Sequence, residues 1–173
     1  MYLAEQLESS RFDPDYYPLE LGTEVLGGGF YASRLYHDLR QTAGYVYTVD
    51  VRLDASKTRA DYEVVYGCNP ENVSKARALI QRDLEQMRSQ EVPEDELYRA
   101  KALLLRKLVL QESSEEAVAR GLLARAELDL PLDEPIIAAQ KYRDLTGAQV
   151  EAAFAKLIRG GDWVQVVRGP APH

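Results

Sequence analysis

The run Leu26–Val49, "LGGGFYASRLYHDLRQTAGYVYTV", decides how this chain is read. Its glycine triplet, Gly27, Gly28 and Gly29, invites a phosphate-binding interpretation, because bare backbone N–H groups at a helix start cradle anions. The context argues against it. The triplet follows a helical segment rather than a strand, lacks G-x-G-x-x-G spacing and has no Lys-Ser/Thr ending. Two readings remain, and they are compatible: a tight helix-to-helix connection in which glycine permits positive φ, or backbone left bare so that another chain can approach closely.

Working outward, "YLAEQL" reads as a short strand, followed by Asp13 and Pro14 as the cap and first position of a helix that stops at the triplet. Pro18 inside that helix kinks it or delays its start. A second helix is expected from about residue 30 to 42, with Gly44 as its C-terminal breaker. "YVYTVDVRL" then alternates, which puts Tyr45, Tyr47, Val49, Val51 and Leu53 on one face of a strand. "ADYEVVYGC" completes a hairpin.

Beyond Asn69 the period changes from two to 3.6. Asn69, Pro70 and Glu71 form a helix start, and Val73, Ala76, Ile80, Leu84 and Met87 mark its apolar stripe. Pro93 opens the next helix, with Leu97, Ala100, Leu104 and Leu108 as its buried stripe. Ser113 with Glu116, and Thr146 with Gln149, have capping-box spacing and predict helices over about 114 to 128 and 147 to 158. The proline-punctuated connection between them holds a short helix. "DWVQVVRG" reads as a last strand and "PAPH" as a tail. Strands at both ends with helices grouped between them imply an α+β domain over residues 1–173, an antiparallel sheet with helices packed on one face.

Composition narrows the function. The chain has 21 basic and 28 acidic residues, net −7, and so lacks the positive surplus that nucleic-acid binding uses. No run approaches the ~18 to 20 apolar residues of a membrane span, and no secretory signal is recognisable. The single cysteine, Cys68, at a strand end, reads as a small core residue. The only histidines are His37 and His173, so no H-x-x-E-H, H-E-x-x-H or His/Cys zinc site can be assembled from this chain. His37 beside Asp38 reads as an exposed helical histidine, because adjacent helix residues do not face each other. There is no G-x-S-x-G elbow for a serine nucleophile. Arg40, near the end of the second helix, and Tyr47, at the start of the next strand, remain. On composition alone they read as a solvated arginine and a buried tyrosine.

The same run resembles the signature of the second, non-catalytic domain of the insulysin/pitrilysin family of zinc peptidases, which includes the mitochondrial processing peptidases. Leu26, Gly27, Gly29, Ser33, Arg34, Leu35, Leu39, Arg40, Gly44 and Tyr47 fill its characteristic places. "NPENVSKARALIQRDLEQM", "LTGAQVEAAF" and "WVQVVRGP" extend the likeness over essentially the whole chain. Tyr45 departs from it, standing where the family often has leucine.

The resemblance implies a C-terminal domain, or a partner subunit, whose zinc-bearing N-terminal half is absent here and faces it across a substrate chamber. Zinc would be held by that half and none by this chain. Arg40 and Tyr47 would contact the scissile bond of a peptide substrate, and Gly27, Gly28 and Gly29 would lie at the inter-domain face. The same fold also serves as an inactive scaffold or partner subunit, the alternative reading. Bacterial members are often periplasmic, and cytoplasmic ones exist.

Overall fold

A computed structural model describes residues 1–161 and 163–169. The tail from Pro170 to His173 lies outside the described residues. Four strands, β1 (Tyr2–Leu7), β2 (Val46–Ala55), β3 (Ala60–Cys68) and β4 (Val164–Val166), form one sheet in the order β2-β3-β1-β4. Every pairing is antiparallel. Helices α1 (Tyr16–Thr23), α2 (Val73–Ser89), α3 (Glu94–Leu110), α4 (Glu115–Glu127), α5 (Glu134–Asp144) and α6 (Gly147–Leu157) complete the domain. None of them is long and apolar enough to cross a membrane.

Register explains why the helices gather on one side. Leu3 pairs with Val64, Glu5 with Tyr62 and Leu7 with Ala60, while Val49 meets Tyr66 and Val51 meets Val64. All of these residues are buried. Residues of the opposite phase, among them Tyr2, Gln6 and Arg52, are exposed. One hydrophobic face and one wet face is what period-two alternation gives in an antiparallel sheet. Ala76, Ile80, Leu84 and Met87 of α2, with Val150, Phe154 and Leu157 of α6, close over the buried face, each large apolar side chain contributing ~1.5–3 kcal/mol.

Local signals account for most boundaries. Helix α1 begins at Tyr16, later than the Asp13–Pro14 start expected, because Asp13 Oδ1 accepts the Asp15 N–H at 2.9 Å in a turn that precedes the helix. Pro18 then falls in the first turn, where backbone N–H groups have no intrahelical acceptor. Thr146 and Gln149 form a complete capping box. The expected Ser113 cap is displaced by one residue: Ser114 Oγ accepts the Ala117 N–H at 3.2 Å, while Ser113 Oγ donates to the Leu110 carbonyl at 2.7 Å. The short helix expected in the proline-rich connection is α5, eleven residues long.

The segment between α1 and β2 departs furthest from expectation. Instead of one helix over 30 to 42, it comprises a π-helical extension of α1 (Glu24–Gly28), a 3-10 turn (Phe30–Ala32) and a second π-helical stretch (Tyr36–Thr42). Ser33 is extended, with φ −90° and ψ 153°, and interrupts the run. Gly44, with φ 65°, ends it as expected, in the left-handed region that glycine enters without strain.

Candidate functional site

Arg40 and Tyr47 are carried by the two sides of one clasp. Arg40 lies in the second π-helical stretch, next to fully buried Leu39. The Tyr45 N–H donates to the Leu39 carbonyl at 2.8 Å, tying the entrance of β2 to the residue before Arg40. Tyr47 follows two residues later. π-Helical turns are uncommon and concentrate at functional sites, and here one overlaps the start of the Leu26–Val49 run and the other lies within it.

Tyr47 does not share the face of Val49 and Val51. Val46 pairs with Cys68 and Thr48 with Gly67, so Tyr47 is the extra residue of a β-bulge. The bulge resets the alternation: Val46, expected on the outer face, is buried, and Tyr47 is 58% exposed. Bulges re-aim a side chain in this way, at the cost of a local break in the ladder. The Tyr47 hydroxyl donates to Asn69 Oδ1. That bond explains why Asn69 leaves the helix start uncapped by its side chain. Asn72 Nδ2 donates to the Tyr45 carbonyl at 3.5 Å, and Lys75 Nζ lies 5.6 Å from the Tyr45 ring.

Arg40 is exposed, and its guanidinium carbon stands 5.8 Å from the Tyr36 ring centroid. It makes no ion pair among the described residues, whereas its neighbours do. Arg34 binds Glu96 at 2.6 Å, and Arg82 of α2 bridges Asp38 and buried Asp83. Burial raises the Asp83 carboxyl above the ordinary range, against the opposing effect of Arg82. No hydrogen bond or ion pair joins Arg40 to Tyr47 among the described residues. His37 is exposed, but its Nδ1 sits 2.8 Å from Asp38 Oδ1, so in this π-helical stretch the adjacent pair does meet.

The glycine triplet serves close packing. Only Gly44, Gly160 and Gly169 have positive φ among the described glycines, so Gly27, Gly28 and Gly29 are not there for left-handed backbone. A Cβ on Gly27 would stand 2.1 Å from Val51 Cγ2, and one on Gly28 would stand 2.5 Å from Glu24 Oε2. The bare backbone therefore lies against β2 of its own chain. Glu24 is buried and takes a 2.6 Å ion pair from Lys107 of α3. Sequence reading passed over this pair because its members lie 83 positions apart; the visible sign was a carboxylate inside the otherwise apolar run "LGTEVLGG".

Cys68 is partly buried at the margin of the core, and burial raises its thiol pKa. Among the described residues no three His, Cys, Asp or Glu side chains are grouped to hold a metal ion. The described residues do not fit a zinc centre.

A search of curated protein sequences finds no match. Among solved structures, the chain is similar to a peptidase M16 inactive domain from Pseudomonas fluorescens, with 27% identity and a TM-score of 0.81, over 98% of this chain and 41% of that one. It thus spans about two-fifths of that relative's length. It also resembles an inactive peptidase domain from Bordetella parapertussis, at 17% identity and a TM-score of 0.77, covering 94% and 88% of the two chains. A chain of complex III2 from Candida albicans shares the fold at 14% identity and a TM-score of 0.74, with 91% of this chain and 40% of that one covered. The sequence profile described as "Peptidase M16 inactive domain" matches residues 2–104, more than half of the sequence. By that match, on a fold of the same architecture, the chain belongs to the peptidase M16 inactive-domain family.

Proposed function

We propose that this chain is the substrate-binding, non-catalytic half of a zinc metalloendopeptidase that cleaves peptides or small unfolded proteins, with Arg40 and Tyr47 contacting the scissile peptide. The bulge at Tyr47 carries the reading. It breaks a ladder to turn a large aromatic side chain outward, close in sequence to a cation that lacks an ion-pair partner among the described residues. Both groups suit the task. A guanidinium grips peptide carbonyls through charge-assisted bonds, and a phenol donates to the oxyanion of a tetrahedral intermediate. In this reading the Tyr47 hydroxyl exchanges Asn69 Oδ1 for substrate, and the Asn69 side chain holds it in place until then. Zinc belongs to the partner half, where it supplies activation of the attacking water.

The test is peptide cleavage by the enzyme reconstituted from this chain and a zinc-bearing half, comparing wild type with Arg40→Ala and Tyr47→Phe. Each variant should keep its fold and lose ~10²- to 10³-fold in kcat/KM, the usual cost of one such donor. Unchanged turnover in folded variants would reject the assignment and favour the inactive scaffold or partner subunit.

A further inference from the structure

A second site lies on the outer side of β2, away from the Arg40–Tyr45 clasp. A cleft of about 460 Å³ is lined there by Asp50, Val51, Arg52, Leu53 and Asp54. Successive strand residues point to opposite faces, so a cavity touching five in a row runs along the strand's edge rather than over one face. β2 is an edge strand of the sheet and, among the described residues, pairs only with β3. The other wall is helical: Glu20 and Thr23 of α1, Glu24 and Gly28 of its π-helical extension, and Leu104 and Lys107 of α3.

The lining is acidic, with four carboxylates, Glu20, Glu24, Asp50 and Asp54, against two cations, Arg52 and Lys107. Several of these groups are already engaged. Arg52 holds Asp50 at 2.7 Å, the Tyr142 hydroxyl donates to Glu20, and Lys107 holds Glu24 Oε2 at 2.6 Å. Asp54 and Glu24 retain acceptor capacity. Asp54 makes no ion pair among the described residues, and Glu24 Oε1, on a side chain only 6% exposed, has no hydrogen-bond partner. Buried polar atoms are almost always satisfied, so an orphaned carboxylate oxygen beside a cavity indicates a missing donor. Gly28 contributes by having no Cβ, which leaves room for the Glu24 carboxylate.

We infer that this cleft binds the ammonium or guanidinium of a lysine or arginine side chain on an extended peptide. The open edge of β2 supplies backbone groups for a peptide to pair with, and the surplus of carboxylates selects the positive side chain. An ammonium brings three N–H donors and a guanidinium five, enough to serve more than one acceptor of the lining. Glu24 keeps its Oε2 on Lys107 and adds negative charge to the helical wall of the cleft. This inference rests on the peptide-binding reading above and adds a preference for basic residues.

The experiment is an NMR titration of the chain with capped alanine pentapeptides carrying lysine, arginine or norleucine at the centre. Lysine and arginine peptides should give saturable shifts at Gly28, Asp50–Asp54 and Lys107, at least about tenfold tighter than norleucine. Glu24→Gln should remove most of that margin, while Glu115→Gln on distant α4 should keep it. Equal binding of norleucine along β2 would overturn the cation pocket and leave peptide pairing intact. An unchanged margin in a folded Glu24→Gln variant would also overturn it, as would the absence of shifts with millimolar lysine peptide. None of these results alters the cleavage test of Arg40 and Tyr47, so failure of the pocket and failure of the functional reading remain distinguishable.

Discussion

Replacing Gly27 by alanine tests the packing that positions β2. The added Cβ would lie 2.1 Å from Val51 Cγ2, 2.8 Å from Val51 Cβ and 3.2 Å from the Val51 backbone nitrogen. Carbon atoms pack comfortably at about 3.5–4.0 Å, so the helical extension and the strand would have to separate by more than ~1 Å. A rotamer change at Val51 brings no relief, because its Cβ and backbone are also in the way. Overpacking of this kind costs ~1–3 kcal/mol and occasionally more, and the upper end applies where backbone must move. Alanine recovers ~1 kcal/mol in helix propensity. The net loss is ~2 kcal/mol, which for a chain of this size lowers Tm by roughly 4–8 °C. Thermal and urea unfolding followed by circular dichroism measure it, with Gly29→Ala as control. There φ is −91°, and the new Cβ meets the flexible end of the Leu103 side chain at 3.2 Å with backbone no nearer than 3.5 Å, an ordinary contact, so stability should hardly change. A Gly27→Ala protein as stable as wild type, or more stable, would refute the reasoning.

Two further outcomes follow from buried charge and buried phenols. Lys107→Met keeps the aliphatic stem but strips buried Glu24 of its cation, and should cost ~1–3 kcal/mol, nearer the lower figure because the Lys107 side chain is 51% exposed and water screens the pair; urea midpoints check it, and adding Glu24→Gln should return part of the loss. Burial raises the phenol pKa of Tyr16, Tyr62 and Tyr142, and lifts Tyr66 to about 12. Since the folded values lie above the unfolded 10.0, the stability these groups contribute is complete below pH 10.0 and lost as pH climbs through the folded values. Absorbance at alkaline pH should show these tyrosines ionising together with unfolding, and ionisation of all eleven near their ordinary pKa in a still-folded chain would contradict it.

Periodicity made the framework legible. The α2 stripe from Ala76 to Met87, the β2–β3 hairpin and the Thr146–Gln149 cap each depend on residues close in sequence, and each stands in the fold as expected. The features that shape the site are different. The phase of β2 at Tyr47 depends on its register against Gly67 and Cys68, which alternation within one strand cannot reveal. The break at Ser33 and the π-helical turns arise where tertiary contacts override a helical pattern. The glycine triplet announced an unusual backbone, but only the fold shows that the need is for proximity to Val51 and Glu24. Arg40 and Tyr47 drew attention through resemblance alone; physical reading of the sequence left them as a solvated arginine and a buried tyrosine, and the tyrosine is in fact exposed.

The ten-residue outer strand β2 also bears on how copies of this chain behave toward one another. A long, flat, apolar margin on a sheet is a template for indiscriminate self-association. This margin is neither flat nor apolar: the bulge at Tyr47 twists one end, and Asp50, Arg52 and Asp54 put charge along the rest. Two copies meeting edge to edge about Arg52 would set Asp50 against Asp54 and Arg52 against Arg52, whereas a short basic chain would not meet that barrier. The charges and the bulge thus work against edge-to-edge self-association while leaving the margin open, and substitutions that neutralise Asp50 and Asp54 would be expected to reduce solubility before they reduce stability.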